Sequence, residues 1–273
     1  MTNSKNKALI NLALLAVTLA VNTLGAFGLI NGLSQKEVSD RYQTLITPSP
    51  FTFSIWSVIY GLLILALVLM VIKLQDPYYR EAVEKLTVLI RLSFFLNILW
   101  IVTFSFVLIE LSVVFIFLYV VVLAMILTKL LRINDGRHWL VPLAFGLNTG
   151  WLFIATVVNL SAMLVKWEWA GWGLSEALWA VITLIVAVLL VFLVLTRVKN
   201  AAFTLPIAWA FFGIYQAQDL MNREGGSMIQ IAALIGMAVL IGMAAITWYR
   251  NGFRILPKQR EDGAAGSGVE RSR

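Results

Sequence analysis

Side chains able to do covalent or metal chemistry are scarce in this 273-residue chain. There is one histidine, His138, and no cysteine. A thiol nucleophile, a disulfide scaffold and Cys-ligated zinc are therefore excluded, as is a multi-His metal site. No Ser–His–Asp grouping is apparent either. What the chain offers instead is ten Trp and a set of neutral amides, Asn22, Asn97, Asn148 and Asn159, inside long apolar runs. Trp56, Trp100, Trp151 and Trp209 also lie inside such runs, whereas Trp139, Trp167, Trp169, Trp172 and Trp248 lie at their ends. A buried indole N–H wants an acceptor. Aromatic faces with a few placed polar groups are how small-molecule pockets are built. The competing reading is packing, with the amides as interhelical hydrogen bonds worth roughly 0.6–2 kcal/mol each.

Spacing groups these residues. Phe53, Trp56 and Tyr60 stand at i, i+3 and i+7, on one face of a helix. Asn97, Trp100 and Phe104 repeat that spacing. Gly146 and Gly150 form a small-xxx-small pair beside Trp151, as do Ala232 with Gly236 and Ala238 with Gly242. Such pairs permit close helix approach. Pro48 and Pro50 stiffen the exit of a long connection just before Phe53. That connection is either a lid over a bundle mouth or a solvated linker.

The elements that must position these groups follow from composition. The chain is 60% hydrophobic and 13% charged. A soluble domain carries about a quarter charged residues, so this one belongs in a bilayer. A crossing helix needs about 20 apolar residues. Eight runs qualify or nearly so, at about 8–30, 52–74, 86–109, 111–132, 139–165, 174–197, 201–218 and 227–249. The seventh is the weakest, being short and carrying Pro206. The third and fourth nearly touch around Glu110 and require a tight hairpin. The fold class is an all-α, polytopic membrane bundle. Its parts are a five-helix unit at 1–165, three further helices at 166–250, and a basic, disordered tail at 251–273.

Charge placement sets orientation. With the N-terminus inside and an even number of spans, all of the 21 cations but Lys36, Arg41, Lys166 and Arg223 lie on the cytoplasmic side. The net charge of +7 is thus topology, and no nucleic-acid partner is expected. Basic residues from Arg250 to Arg260 suit anionic lipid headgroups. No Asp, Glu, Lys or His lies mid-span, which argues against a proton relay, a voltage sensor, an ion-coupled pump and a retinal Schiff base. Arg91, a turn inside its helix, is read as snorkelling to the interface.

Three stretches resemble the TspO/MBR family of tryptophan-rich sensory or translocator proteins. PSPFTFSIWSVIY is similar to its second-helix signature through Pro48, Pro50, Trp56 and Tyr60. FFLNILWIVTF matches the third-helix pattern through Leu96, Asn97, Trp100 and Phe104. WLFIATVVN resembles the fifth-helix pattern through Trp151 and Asn159. The chain departs where the family often has a Pro pair after the third-helix Trp, since Ile101 and Val102 stand there. It also has Leu147-Asn148 for a Pro-Tyr, and no counterpart of the sterol-recognition stretch. Three spans lie beyond the family's usual five. The resemblance implies a pocket beneath the first loop, lined by the second, third and fifth helices. Its candidate ligand-binding residues are Pro50, Phe53, Trp56, Tyr60, Asn97, Trp100, Phe104, Asn148, Trp151 and Asn159. The implied ligand is a porphyrin or related tetrapyrrole, held without a covalent bond, in a bacterial plasma-membrane protein that can pair as a homodimer. A transporter of small amphiphiles is the alternative, with a helix broken at Pro206. An enzyme acting on porphyrins is the remote one.

Overall fold

The computed structural model describes residues 2–221 and 225–258, with only the backbone described at Leu220 and Met221. Among these residues the chain forms nine α-helices and no strand. They are α1 (Thr2–Ala26), α2 (Gln35–Arg41), α3 (Ile55–Ile72), α4 (Pro77–Ser105), α5 (Ile109–Ile133), α6 (Leu140–Lys166), α7 (Glu176–Val198), α8 (Leu205–Met221) and α9 (Gly226–Arg250). Short 3-10 turns occur at Pro50–Ser54 and Gly171–Gly173. In hydrocarbon every backbone group must be satisfied within its segment, so long apolar runs become helices. Seven of the nine, all but α2 and α8, are long and apolar enough to cross a membrane.

Helix α8 has 17 residues, short of a comfortable span. It begins at Leu205 rather than at residue 201 because Asn200 interrupts the backbone there. Asn200 Oδ1 accepts from the N–H of Ala202 (2.9 Å), and its Nδ2 donates to Pro142 O (2.8 Å). Pro206 therefore sits in the first turn of α8, where a missing N–H costs nothing, and breaks no helix. The helix still joins both ends of the bundle. Its start adjoins the Ala201 N–H, which donates to Ile255 O (2.9 Å), and near its end Gln218 Nε2 donates to Leu45 O (2.6 Å).

Side chains cap two of the long helices. Asp76 accepts from Tyr78 N–H at the start of α4, with Pro77 in the first turn. Ser175 does the same for Leu178 at α7. The α4–α5 hairpin turns through Phe106, Val107 and Leu108, as the near-contact of the two apolar runs requires. Lys166 clamps it, donating to Glu110 Oε2 (2.7 Å) and Val107 O (3.2 Å). Helices α4 and α6 are the most enclosed of the spans. Arg91 is tied to α1, its Nε donating to Asn11 Oδ1 (3.0 Å).

Two of the three small-residue pairs are occupied within the chain. A Cβ on Gly150 would collide with the Phe203 carbonyl, and one on Gly146 would meet Asn200 Oδ1 at 2.5 Å. A Cβ on Gly236 would collide with the Phe211 ring of α8. Gly146, Gly150 and Gly236 thus seat α8 and the turn before it, leaving none of their grooves for a second copy. Nothing lies near Gly242.

The segment after α9 is folded as far as residue 258, contrary to the disordered tail expected from residue 251. Leu256 is buried, and Asn251 Nδ2 donates to Lys199 O (2.9 Å) and Ile255 O (3.1 Å). Asn134 Nδ2 donates to Leu256 O (3.3 Å) and Pro257 O (2.9 Å). Buried amides bonding to chain carbonyls, rather than apolar periodicity, hold this segment. The rest of the expected tail lies outside the described residues.

Candidate functional site

The wall of the site begins on α6. Trp151, Ile154, Ala155, Val158, Asn159 and Ala162 fall at i, i+3, i+4, i+7, i+8 and i+11, one stripe of the helix. Trp100 and Phe104 of α4 and Trp56 of α3 face the same space. Pro50 and Phe53, in the 3-10 turn before α3, complete its upper part. Together they enclose a cavity of about 460 Å³. That is inside the roughly 300–1,000 Å³ range of small-molecule sites.

The aromatic rings touch in sequence. Phe53 meets Trp151 edge-on at 6.0 Å between centroids, and Trp151 meets Trp56 edge-on at 6.0 Å. Trp56 lies 6.3 Å from Trp100, which lies 6.5 Å from Phe104. Three residues on this wall carry polar atoms without partners. Trp100 is 8% exposed, Trp151 3% and Asn159 5%, and none of Trp100 Nε1, Trp151 Nε1 and Asn159 Nδ2 has an acceptor. Asn159 Oδ1 is used, accepting from Ser112 Oγ (3.2 Å). An unpaired buried donor costs about 1–3 kcal/mol, so three beside one cavity are unusual.

Tyr60, Asn97 and Asn148 do not line the cavity, although spacing grouped Tyr60 and Asn97 with residues that do and Asn148 was a candidate beside them. They lie a turn away along their helices and are linked to one another through Asn22 and Tyr119. Tyr60 OH donates to Asn22 Oδ1 (2.8 Å), and Asn22 Nδ2 donates to Asn97 Oδ1 (2.6 Å). Asn97 Nδ2 and Asn148 Nδ2 each donate to Tyr119 OH (3.3 Å). This network joins α1, α3, α4, α5 and α6 next to the aromatic wall. Tyr60 couples the two by stacking on Trp56 at 4.8 Å. Amides at bilayer depth have no water, so each takes the nearest amide or phenol.

The lid was the least legible part. Residues 27–54 are no solvated linker, because Val38, Leu45, Ile46, Thr47 and Ser49 are buried. Helix α2 lies over the cavity and contributes Gln35, Val38, Ser39 and the ion-paired Lys36 and Asp40. Its start is fixed by a capping box, in which Ser34 accepts from Glu37 N–H and Glu37 accepts from Ser34 N–H. These bonds hold the Glu37 carboxyl below its ordinary value. The Ser34-x-x-Glu37 pattern was the available signal for α2.

Helix α8 is the other missed contributor. Ala210 and Ala217 face the cavity, seven residues apart on one stripe. Trp209 Nε1 donates to Thr52 O (2.9 Å), and Ser49 N–H donates to Gly213 O (3.0 Å). The cavity is thus walled by α3, α4, α6 and α8 and roofed by α2. A model of the TSPO-like protein family matches residues 8–246.

The chain belongs to the TSPO-like protein family.

No curated protein and no solved structure matches it. The family match runs past the fifth long span and through α7, α8 and most of α9. That extent agrees with the packing, since α8 is part of the wall. Membership and the long apolar helices make this TSPO-like chain an integral membrane protein.

Proposed function

We propose that this TSPO-like protein binds a flat hydrophobic ligand, a porphyrin or related tetrapyrrole, in the cavity beneath α2. The observation carrying this reading is the wall of Trp56, Trp100 and Trp151 around about 460 Å³, with unpaired donors on Trp100, Trp151 and Asn159. Indole and phenyl faces stack on a planar ring. Unpaired N–H groups favour a ligand carrying acceptors, such as carbonyl or carboxylate oxygens. The ligand is held without a covalent bond, and the protein acts in binding or sensing rather than catalysis. Transport has less support, since Pro206 starts a helix instead of breaking one.

In the same reading the protein resides in a bacterial plasma membrane with both termini cytoplasmic. The positive-inside bias favours that orientation. It needs an even number of crossings, which counts α8 with the seven longer helices.

The test is titration of the detergent-solubilised protein with a porphyrin, followed by Trp fluorescence. Saturable quenching is expected, weakened in Trp56→Ala and in Trp151→Ala. Unchanged affinity in both variants would overturn the reading.

A further inference from the structure

Helices α1 and α4 meet along a seam of polar contacts. Nearest the chain start, Ser4 Oγ donates to Glu84 Oε1 (2.8 Å), and Lys7 pairs with Glu84 Oε2. One turn further along α1, Asn11 is buried, and its Nδ2 donates to Thr87 Oγ1 (3.1 Å). The same amide accepts from Arg91 Nε (3.0 Å). Arg91 stands well inside the helix, two turns or about 10 Å past Glu84. From residue 86 to the end of α4 every other side chain is uncharged.

Arg91 lacks a counter-charge. A guanidinium carries five N–H donors. Among the described residues only Nε–H finds an acceptor, and that acceptor is a neutral amide. Glu84, the nearest acid along α4, is taken by Ser4 and Lys7, and among the described residues no other acid pairs with Arg91. An unpaired charge among apolar residues of a membrane helix is costly.

The side chain is held in place. Helical side chains lean toward the N-terminus of their helix. Asn11 bridges Thr87 and Arg91, so it keeps Arg91 Nε leaning back toward the turn of Thr87 and the polar start of α4. Arg91 is half-buried, and beside it Val88, Leu92 and Phe95 form an exposed apolar strip. In a bilayer such a strip meets acyl chains.

We infer that Arg91 binds the phosphate of an anionic phospholipid, in the leaflet nearer the chain's N-terminus, with the acyl chains along Val88, Leu92 and Phe95. A guanidinium fork matches two phosphate oxygens. A soluble anion would have to leave water for an apolar strip, so a lipid is the source.

The test is native mass spectrometry of the full chain in detergent, titrated with phosphatidylglycerol or with phosphatidylcholine. One phosphatidylglycerol adduct should form at a lower lipid concentration than any phosphatidylcholine adduct. R91Q should raise its half-maximal concentration roughly fivefold or more, the worth of one cation at an anionic surface. V88E keeps Arg91 but supplies an acid three residues away, at an exposed position where no packing is lost, and should weaken the adduct similarly. The K5Q/K73Q pair removes two exposed cations elsewhere and should leave the adduct in place. Equal binding of the two lipids, an unaltered adduct in R91Q (or in V88E, should R91Q fail to fold), or an equal loss in K5Q/K73Q would overturn the site.

Discussion

Gly213 of α8 and Thr52 before α3 pack so closely that a Cβ on Gly213 would collide with Thr52 Oγ1. That contact fixes the upper rim of the cavity, because the hydrogen bond from Trp209 to Thr52 O and the one from Ser49 N–H to Gly213 O flank it. Gly213→Ala should push α8 from the rim and destabilise the protein by about 1–3 kcal/mol, the usual range for overpacking. Thermal unfolding in detergent would measure this. Porphyrin quenching should weaken in parallel, since Pro50 and Phe53 ride on the same turn.

Trp100 tests the unpaired donors separately from the aromatic surface. Its indole N–H has no acceptor within the protein, so Trp100→Phe removes no internal hydrogen bond. If the ligand accepts from that N–H, affinity should fall roughly two- to tenfold, the equivalent of about 0.5–1.5 kcal/mol. Titration of a ligand analogue lacking its acceptor groups should show a smaller difference between variant and parent.

Asn97 makes the opposite case. It accepts from Asn22 and donates to Tyr119, away from the cavity. Asn97→Ala should lower stability by roughly 1–3 kcal/mol, taking two interhelical bonds at about 0.6–1.7 kcal/mol each. Ligand affinity should change less than in Trp151→Ala. A large affinity loss without a stability loss would place Asn97 in the site itself.

Acid should loosen the end of the bundle around His138. The ring lies between Asp135 Oδ2 (2.8 Å) and Asp76 Oδ2 (3.0 Å), tying the α3–α4 and α5–α6 loops together. Burial works to raise the Asp135 carboxyl, but the backbone N–H groups of Arg137 and His138 and the His138 ring outweigh it and hold it below its ordinary value. A depressed carboxyl contributes stability above its unfolded pKa, about 4, and loses it as pH falls through the folded value. Unfolding midpoints between about pH 6 and about pH 3 should therefore decline in the parent. The decline should be shallower in Asp135→Asn.

Orientation is open to direct labelling, because the chain has no native cysteine to react. Gln75→Cys and Arg41→Cys place single thiols on exposed residues of the two end faces. In right-side-out vesicles an impermeant maleimide should label position 41 and spare position 75 until the membrane is opened. The reverse pattern would invert the proposed topology.

The long helices were legible because crossing a bilayer is a local property of about 20 residues. The tight α4–α5 hairpin and the aromatic face of Trp56 follow from short-range spacing, whereas α4 starts at Pro77, nine residues before its apolar run at 86, because its first turns are polar and are set by the Asp76 cap. The family motifs were legible for the same reason, since each sits within a single helix. Helical spacing also named Phe53, Trp56, Trp100 and Phe104 of the cavity wall but overreached at Tyr60 and Asn97, and the candidate Asn148 likewise lies off the wall. A shared face spans a full helix length, and spacing cannot say which turn meets a cavity and which meets another amide. Only the rotation and depth of five helices together sent those three side chains to Asn22 and Tyr119.

Three further matters belonged to the tertiary structure. The glycines at 146, 150 and 236 announced close approach, but their partners, Asn200, Phe203 and Phe211, lie many residues away. Helix α8 is a weak span by length, and its place in the cavity wall comes from contacts with the turn before α3. The basic segment after α9 has no apolar period, and it is held by Asn134 and Asn251 through carbonyls, groups every residue carries. Sequence alone determined that this chain lives in a bilayer as a helical bundle rich in Trp, because burial of apolar length and avoidance of charge are written residue by residue. What surrounds the cavity, what closes it and how the basic segment after α9 is held were decided by packing, because those are relations between segments that no local pattern records.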